Sequence, residues 1–368
     1  CDTCRYVIGQ PGVQALPAIL ASGEGLPCTG RDMLTALIMA YDVSIRTATV
    51  FTGRPLSHPN GQTPMLGAIA AGSRLRGFSA AQTSLALRVG ATMMLSPSYT
   101  NAVAGATTLN VAGGMSSFMG VLAPDLALAG FTAQEDGVEQ MLGHLIGDRF
   151  EPGTLLDKLG DVWHITLNHF RIRACCNPIY GALDALEESL AALGSPRPEA
   201  IERIDVATYQ FASVMQNPDP SNYFAAKYSL PHAAAAIVAR GNAGYGSFTE
   251  ELVRDPVIAA LRHRVHVTAD DAMTAAAPRI KPGRATVTLK DGRKSTHTVE
   301  SARGDLQRPY QESELRDKFR ELAGLALQPA GVAEVERLVD GFETLPDVKP
   351  LLDVLRRHGK PPSTESTP

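Results

Sequence analysis

Tryptophan occurs once in this 368-residue chain, and Phe, Trp and Tyr together make up only 6% of it. Ala and Leu are abundant instead, which favours helices packed through small residues over a β-sandwich. Cysteine is scarce too: Cys1, Cys4, Cys28, Cys175 and Cys176. The odd count and irregular spacing do not make a secreted disulfide framework. Cys1 and Cys4 form one C-x-x-C, but no second such pair and no His pair follows at zinc spacing, so no metal site is expected. Neither sign of charge is in excess. Lys and Arg number 34 against 38 Asp and Glu, a net charge of −4, which gives no general pull toward nucleic acid. Long apolar runs are missing as well. The best, "FMGVLAPDLALAGF" (118–131), is interrupted by Pro124 and Asp125, so no membrane partner is expected. There is no G-x-G-x-x-G after a strand, no Walker loop, no G-x-S-x-G and no H-E-x-x-H. No organic cofactor is therefore expected, and the reduced-thiol pattern suits a cytoplasmic location.

What is present reads first as helices. "TGRDMLTALIMAYDV" opens with a capping box from Thr29 to Asp32, and Met33, Leu34, Leu37, Ile38 and Tyr41 recur at helical spacing. "SAAQTSLALRVGATMML" repeats the device with Ser79 and Gln82, and "TAQEDGVEQMLGHLIG" with Thr132 and Glu135. The small residues of "AGATTLNVAGGMSSFMG" suit close helix packing. The texture changes near residue 165. "IERIDVATYQF" and "LRHRVHVTAD" alternate as strands, and "GRATVTLKDGRKSTHTVES" is a hairpin turning at Asp291-Gly292. The resulting expectation is a mainly α protein. A helical domain spans 1–164, an α+β unit 165–307, further helices 308–359, and a disordered tail 360–368.

Two polar islands stand out. Asp2, Thr3 and Gln10 precede the first apolar helix. His58 lies in "SHPNGQTPMLGA", just before a helix whose N-terminus favours anions. Taken alone, His58 reads as a solvated loop histidine. Lys227, in "AAKYSLPHAAAA", flanks another helix start.

The order of these segments resembles the MmgE/PrpD family, which includes 2-methylcitrate dehydratase, cis-aconitate decarboxylase and iminodisuccinate epimerase. Asp2-Thr3 and Gln10-Pro11-Gly12 are similar to its "D-x-D-D-T … H-P-G" signature. "TGRDMLTALIMAYDV", "SHPNGQTPMLGAIAAGSRLRGF", "LALAGFTAQEDGVE" and "GDLQRPYQESELRDKFRELA" resemble its later motifs in the right order. The resemblance implies a large helical domain and a smaller α+β lid, a homodimer, and chemistry on a small di- or tricarboxylate without metal. By the same resemblance the chain is expected to lack the family's opening segment, including the first Asp of that signature.

Carried over residue by residue, the resemblance gives His58, Thr3 and Tyr180 catalytic roles and makes Asp2, Gln10, Asn110 and Lys227 substrate-binding. His58, Thr3 and Lys227 match the family's residues. Gln10 stands where the family has His, Thr107 where it has Lys, Asn110 where it has His, and Tyr180 where the lid has His. The implied activity is a dehydratase-type lyase, with decarboxylase or epimerase chemistry as alternatives. Because these residues differ, a non-catalytic binding member is the competing expectation.

Overall fold

A computed structural model describes residue 7, residues 9–277 and 279–361, and the backbone of a two-residue strand at Thr3–Cys4. The protein is mainly α. It divides into two compact units, one of residues 1–97, 110–168 and 311–368, the other of 98–109 and 169–310.

Helices α1 (Pro11–Glu24), α2 (Gly30–Thr49), α3 (Thr63–Leu75), α4 (Ala80–Ala91) and α5 (Leu109–Leu128) build most of the first unit. The capping boxes of Thr29 with Asp32 and of Ser79 with Gln82 both form, each satisfying otherwise orphaned N–H groups. The core is rich in alanine: Ala15, Ala18, Ala36, Ala40, Ala68 and Ala71 pack with Ile19 and Met33. A short ribbon pairs β1 (Phe51–Gly53) antiparallel with β2 (Gly147–Phe150).

Two features depart from the local sequence reading for identifiable reasons. The apolar run interrupted by Pro124 and Asp125 nevertheless lies in one helix, α5, which runs through both. Pro124 has no N–H to bond the carbonyl of Gly120. That carbonyl instead faces Gly72 of α3, where a Cβ would lie only 2.1 Å away. By length and composition alone α5 is apolar enough to cross a membrane, and 39% of its most apolar window is buried inside this structure. Second, Thr132 and Glu135 cap nothing. The helix starts only at Gly137 and widens into a π turn over Gln140–Leu145. Arg88 Nη1 donates to the Ala133 carbonyl at 3.3 Å, which holds 131–136 as a loop.

A buried cation organises the loop that follows β2. Arg46 bonds Asp42 Oδ2 through Nε at 2.6 Å and donates to the carbonyls of Leu155, Asp157, Lys158 and Val162. The second oxygen of Asp42 takes His164 Nδ1 at 2.6 Å.

The second unit begins with a segment the sequence did not assign to it. Residues 98–109 belong there because Ala102 and Leu109 bury against Phe224, and Asn222 Nδ2 donates to the Gly105 carbonyl. Helix α6 (Tyr180–Ala192) packs on a four-stranded sheet. Its strands are β3 (Ile201–Thr208), β4 (Val265–Ala269), β5 (Gly283–Leu289) and β6 (Lys294–Val299), in spatial order β4-β3-β5-β6. β3 pairs parallel to β4 and antiparallel to β5, while β5 and β6 form the expected hairpin. Ile204, Val206, Ala285 and Val287 point inward with Leu183 and Leu186 of α6, the alternation that one buried sheet face requires. The lead-in to β5 crosses the first turn of α6 backbone against backbone. A Cβ on Gly181 would lie 2.3 Å from the Lys281 carbonyl oxygen, and one on Gly283 would lie 2.2 Å from the Ala182 nitrogen. Helix α7 (Leu230–Arg240) is capped by the Ser229 hydroxyl and ends at Gly241.

Three amphipathic helices close the chain and group with the first unit: α8 (Glu312–Ala326), α9 (Pro329–Asp340) and α10 (Lys349–His358). Val348 and Leu352 enter the core beside α1 and α2. Lys360, placed by the sequence in a disordered tail, is ordered by its N–H donating to the Ala326 carbonyl at 2.7 Å. Residues 362–368 lie outside the described residues.

Candidate active site

In the first unit a polar cluster forms where the segment before α3 meets α1 and α5. His58 is not solvated, being only 7% exposed. Its backbone N–H donates to Pro97, and its Nδ1 accepts the Asn60 N–H at 3.1 Å. Burial pulls its pKa down to about 4, so the ring is neutral at pH 7. With Nδ1 accepting, the single ring hydrogen sits on Nε2. His58 is therefore a neutral hydrogen-bond donor rather than a proton acceptor.

Asn60 leads on to Gln14, which is fully buried. Gln14 Nε2 reaches Asn60 Oδ1 and the Gln10 carbonyl, each at 3.3 Å. Its Oε1 accepts from Ser116 Oγ at 2.8 Å and from the Gly61 N–H at 3.2 Å. This chain of amides connects two of the expected residues, His58 and Gln10. Asn110 lies one turn before Gly113 on α5. Gly113 faces Asn60 and Gln14, and Ser117, a further turn on, donates to the Gln14 carbonyl. The helical repeat therefore puts exposed Asn110 on that same face. Asp2 and the Thr3 side chain lie outside the described residues.

The second unit carries charge. Tyr180 opens α6 and is 0% exposed. Its hydroxyl donates to the Arg173 carbonyl, and Arg171 Nε approaches it at 3.4 Å. Burial raises its pKa above the usual tyrosine value. Tyr180, given a catalytic role as a lid-side acid by the resemblance, thus has its proton on a main-chain carbonyl, and two guanidinium groups flank the ring at 5.4 and 5.6 Å. Lys227 is different. Its Nζ lies 5.3 Å from the centre of the Tyr223 ring and 5.9 Å from that of Tyr245. Among the described residues that ammonium has neither a hydrogen-bond nor an ion-pair partner, and burial lowers its pKa. The Lys227 carbonyl accepts the Cys176 N–H at 2.8 Å, so Lys227 and Tyr180 both attach to the segment entering α6.

Residues 2–146 match the MmgE/PrpD N-terminal domain and residues 174–343 the MmgE/PrpD C-terminal domain. The chain belongs to the MmgE/PrpD family. Cis-aconitate decarboxylase of Aspergillus terreus is 24% identical over 383 residues, covering 94% of this chain and 76% of that protein. The human enzyme of the same name is 23% identical over 387 residues, covering all of this chain and 78% of that protein. The mouse enzyme is 23% identical over 385 residues, covering 96% and 75%.

The part that Gln14 and Asn60 play in this cluster was not foreseen from the sequence. A glutamine inside the apolar stretch "PGVQALP" was the available sign for Gln14. Among the described residues no group of three or more His, Cys, Asp or Glu is arranged to hold a metal, and Cys28, Cys175 and Cys176 are free thiols.

Proposed function

We propose that this protein is a lyase acting on a small polycarboxylate, with decarboxylation of an unsaturated tricarboxylate favoured over dehydration. The support for decarboxylation is that the relatives above are named cis-aconitate decarboxylases. The observation that carries a catalytic reading is His58 itself, a buried, neutral, oriented imidazole in a cluster of hydrogen-bonding amides.

Breaking the bond to a carboxylate releases CO2 and sends the electron pair into the conjugated double bond. Negative charge then grows on a neighbouring carboxylate oxygen, and a proton must be added at carbon. A neutral Nε2–H aimed at that oxygen stabilises the charge without carrying a charge of its own. Taken by itself, Lys227 in the second unit suits carboxylate binding and proton supply, being a cation whose pKa burial lowers. Gln10 and Asn110 supply further donors to carboxylate oxygens. The homodimer that the family resemblance implies is part of the same proposal.

The test is a substrate panel followed by NMR in deuterated water. Loss of CO2 from cis-aconitate, with deuterium entering at one carbon, is the expected result. Dehydration of 2-methylcitrate instead would restore the dehydratase reading. Binding without turnover of any panel member would favour a non-catalytic member, for which the replaced Gln10, Thr107, Asn110 and Tyr180 argue. In an active protein, His58→Ala should lower kcat by roughly 10²–10³-fold, the scale for losing one donor to a developing oxyanion.

A further inference from the structure

Two grooves on the first unit are lined by charged side chains, and they use those charges differently. In the groove between α8 and α9, Arg316 takes Glu312, Glu336 and Asp340, so the charge there is spent within the groove itself. The other groove is a cavity of about 510 Å³ where one face of α4 meets the C-terminal end of α3 and the loop before the π turn. Its floor is apolar. Phe78, Leu87 and Val138 line it and pack inward on the core that holds Met65 and Ile69. Its walls carry Arg74, Thr83, Ser84, Arg88 and Glu135. Arg74 stands eleven positions after Thr63, about 16 Å along α3 from the end that His58 precedes.

The hydrogen-bonding capacity of those walls is largely unspent. The side chains of Arg74 and Glu135 make no hydrogen bond and no ion pair among the described residues. The Asp32 carboxylate feels the charge of Arg74, but its own bonds go to Thr29. Arg88 donates through Nε to the Ser84 carbonyl at 3.4 Å and through Nη1 to the Ala133 carbonyl at 3.3 Å. Those two bonds orient its guanidinium, and it has no carboxylate partner among the described residues. The hydroxyls behave in the same way. Ser44 and Thr47 on α2 turn theirs back to carbonyls one turn earlier, as hydroxyls on helices readily do. Those of Thr83 and Ser84 take no partner among the described residues.

An apolar floor under a few polar groups with capacity to spare is the usual make-up of a small-molecule site. The charges narrow the ligand. A simple anion would meet Glu135 unanswered, and a simple cation would meet two guanidinium groups. A zwitterion answers both. We infer that this groove is a second ligand site, one that takes an apolar α-amino acid. The arginines bind its carboxylate, Glu135 its ammonium, and the floor of Phe78 and Leu87 its side chain. The inference is independent of the lyase reading, since no residue of the groove belongs to the His58 cluster.

The experiment titrates L-phenylalanine into the 368-residue protein and follows binding by ligand-observed NMR. Two analogues run beside it: 3-phenylpropionate, which lacks the ammonium, and phenylalaninamide, which lacks the carboxylate. L-phenylalanine should bind roughly 5–10-fold more tightly than either, a factor between those for an exposed ion pair and a charge-assisted hydrogen bond. Arg74→Met should weaken L-phenylalanine and 3-phenylpropionate but not phenylalaninamide. Glu135→Gln should weaken L-phenylalanine and phenylalaninamide but not 3-phenylpropionate. Ser84→Phe fills the groove and should abolish binding of all three. Lys349→Met, an exposed lysine paired to Asp347, serves as a charge control and should bind as wild type does. Should Arg74→Met fail to fold, the three ligands on wild type and on Glu135→Gln decide. No binding of L-phenylalanine by wild type overturns the inference. So does 3-phenylpropionate binding as tightly as L-phenylalanine, or binding that survives in a folded Ser84→Phe protein.

Discussion

Arg46 in the first unit and Lys227 in the second are both cations drawn out of water, and they are treated in opposite ways. Arg46 is saturated, with one carboxylate and four carbonyls around its guanidinium. Lys227 has two aromatic rings for company and, among the described residues, nothing that accepts a hydrogen bond from it. A buried charge whose partners are complete is structural. One whose partners are missing costs stability while it waits, and that cost is sensible only where a ligand completes the set. The same division holds for the two ring systems singled out at the start. His58 is a neutral ring held through Nδ1 by the Asn60 N–H, whereas Tyr180 gives its hydroxyl proton to the Arg173 carbonyl.

Four measurements can break or sharpen that contrast. The largest effect belongs to Arg46→Met, which strands Asp42 and several carbonyls. Urea unfolding should show a loss of about 3–5 kcal/mol, the scale for breaking a buried pair from one side. A loss under about 1 kcal/mol would mean the saturated cation is not structural after all.

Next is the pH dependence of His58. Its folded pKa of about 4 lies below the ordinary histidine value of 6.5, so between these values the unfolded chain binds a proton that the folded one refuses. The stability tied to this group is complete above pH 6.5 and is lost as pH falls toward 4, approaching about 3 kcal/mol. Compared with His58→Gln, wild type should therefore lose that much more stability between pH 7 and 4. Parallel unfolding curves for the two proteins over this range would show that the ring is not held neutral.

Tyr180→Phe comes third, at about 1–3 kcal/mol, because a buried carbonyl loses its donor. Its kcat should stay close to wild type if the hydroxyl is structural, and a collapse of kcat at unchanged stability would return Tyr180 to the chemistry. The smallest effect, and the one of opposite sign, is Lys227→Met. Removing an ammonium that has no hydrogen-bond or ion-pair partner among the described residues should change stability by less than about 1 kcal/mol, toward greater stability. Binding of polycarboxylates should weaken at the same time. Clear destabilisation in a melting experiment would mean that Lys227 holds the fold as Arg46 does.

Local signals in the sequence were legible because their partners are local. The caps at Thr29 and Ser79 answer to residues three positions on, and the β5–β6 hairpin to its own turn. The failures are tertiary. Nothing near Thr132 announces that Arg88 will hold the Ala133 carbonyl, and nothing near Pro124 announces that Gly72 will lie against Gly120. The "SHPNG" loop stands out in the sequence as a polar island, but the burial of His58 depends on Pro97 and the chain of amides through Gln14, which lie elsewhere in sequence.

The crossing of Gly181 and Gly283 separates address from content. What places residue 281 is main chain against main chain, with no side chain of its own involved in the contact. The identity of residue 281 can therefore drift by single codon changes without disturbing the scaffold, while either glycine is barred from doing so. A scaffold built this way can change the side chain at that position while the main-chain crossing that places it stays fixed.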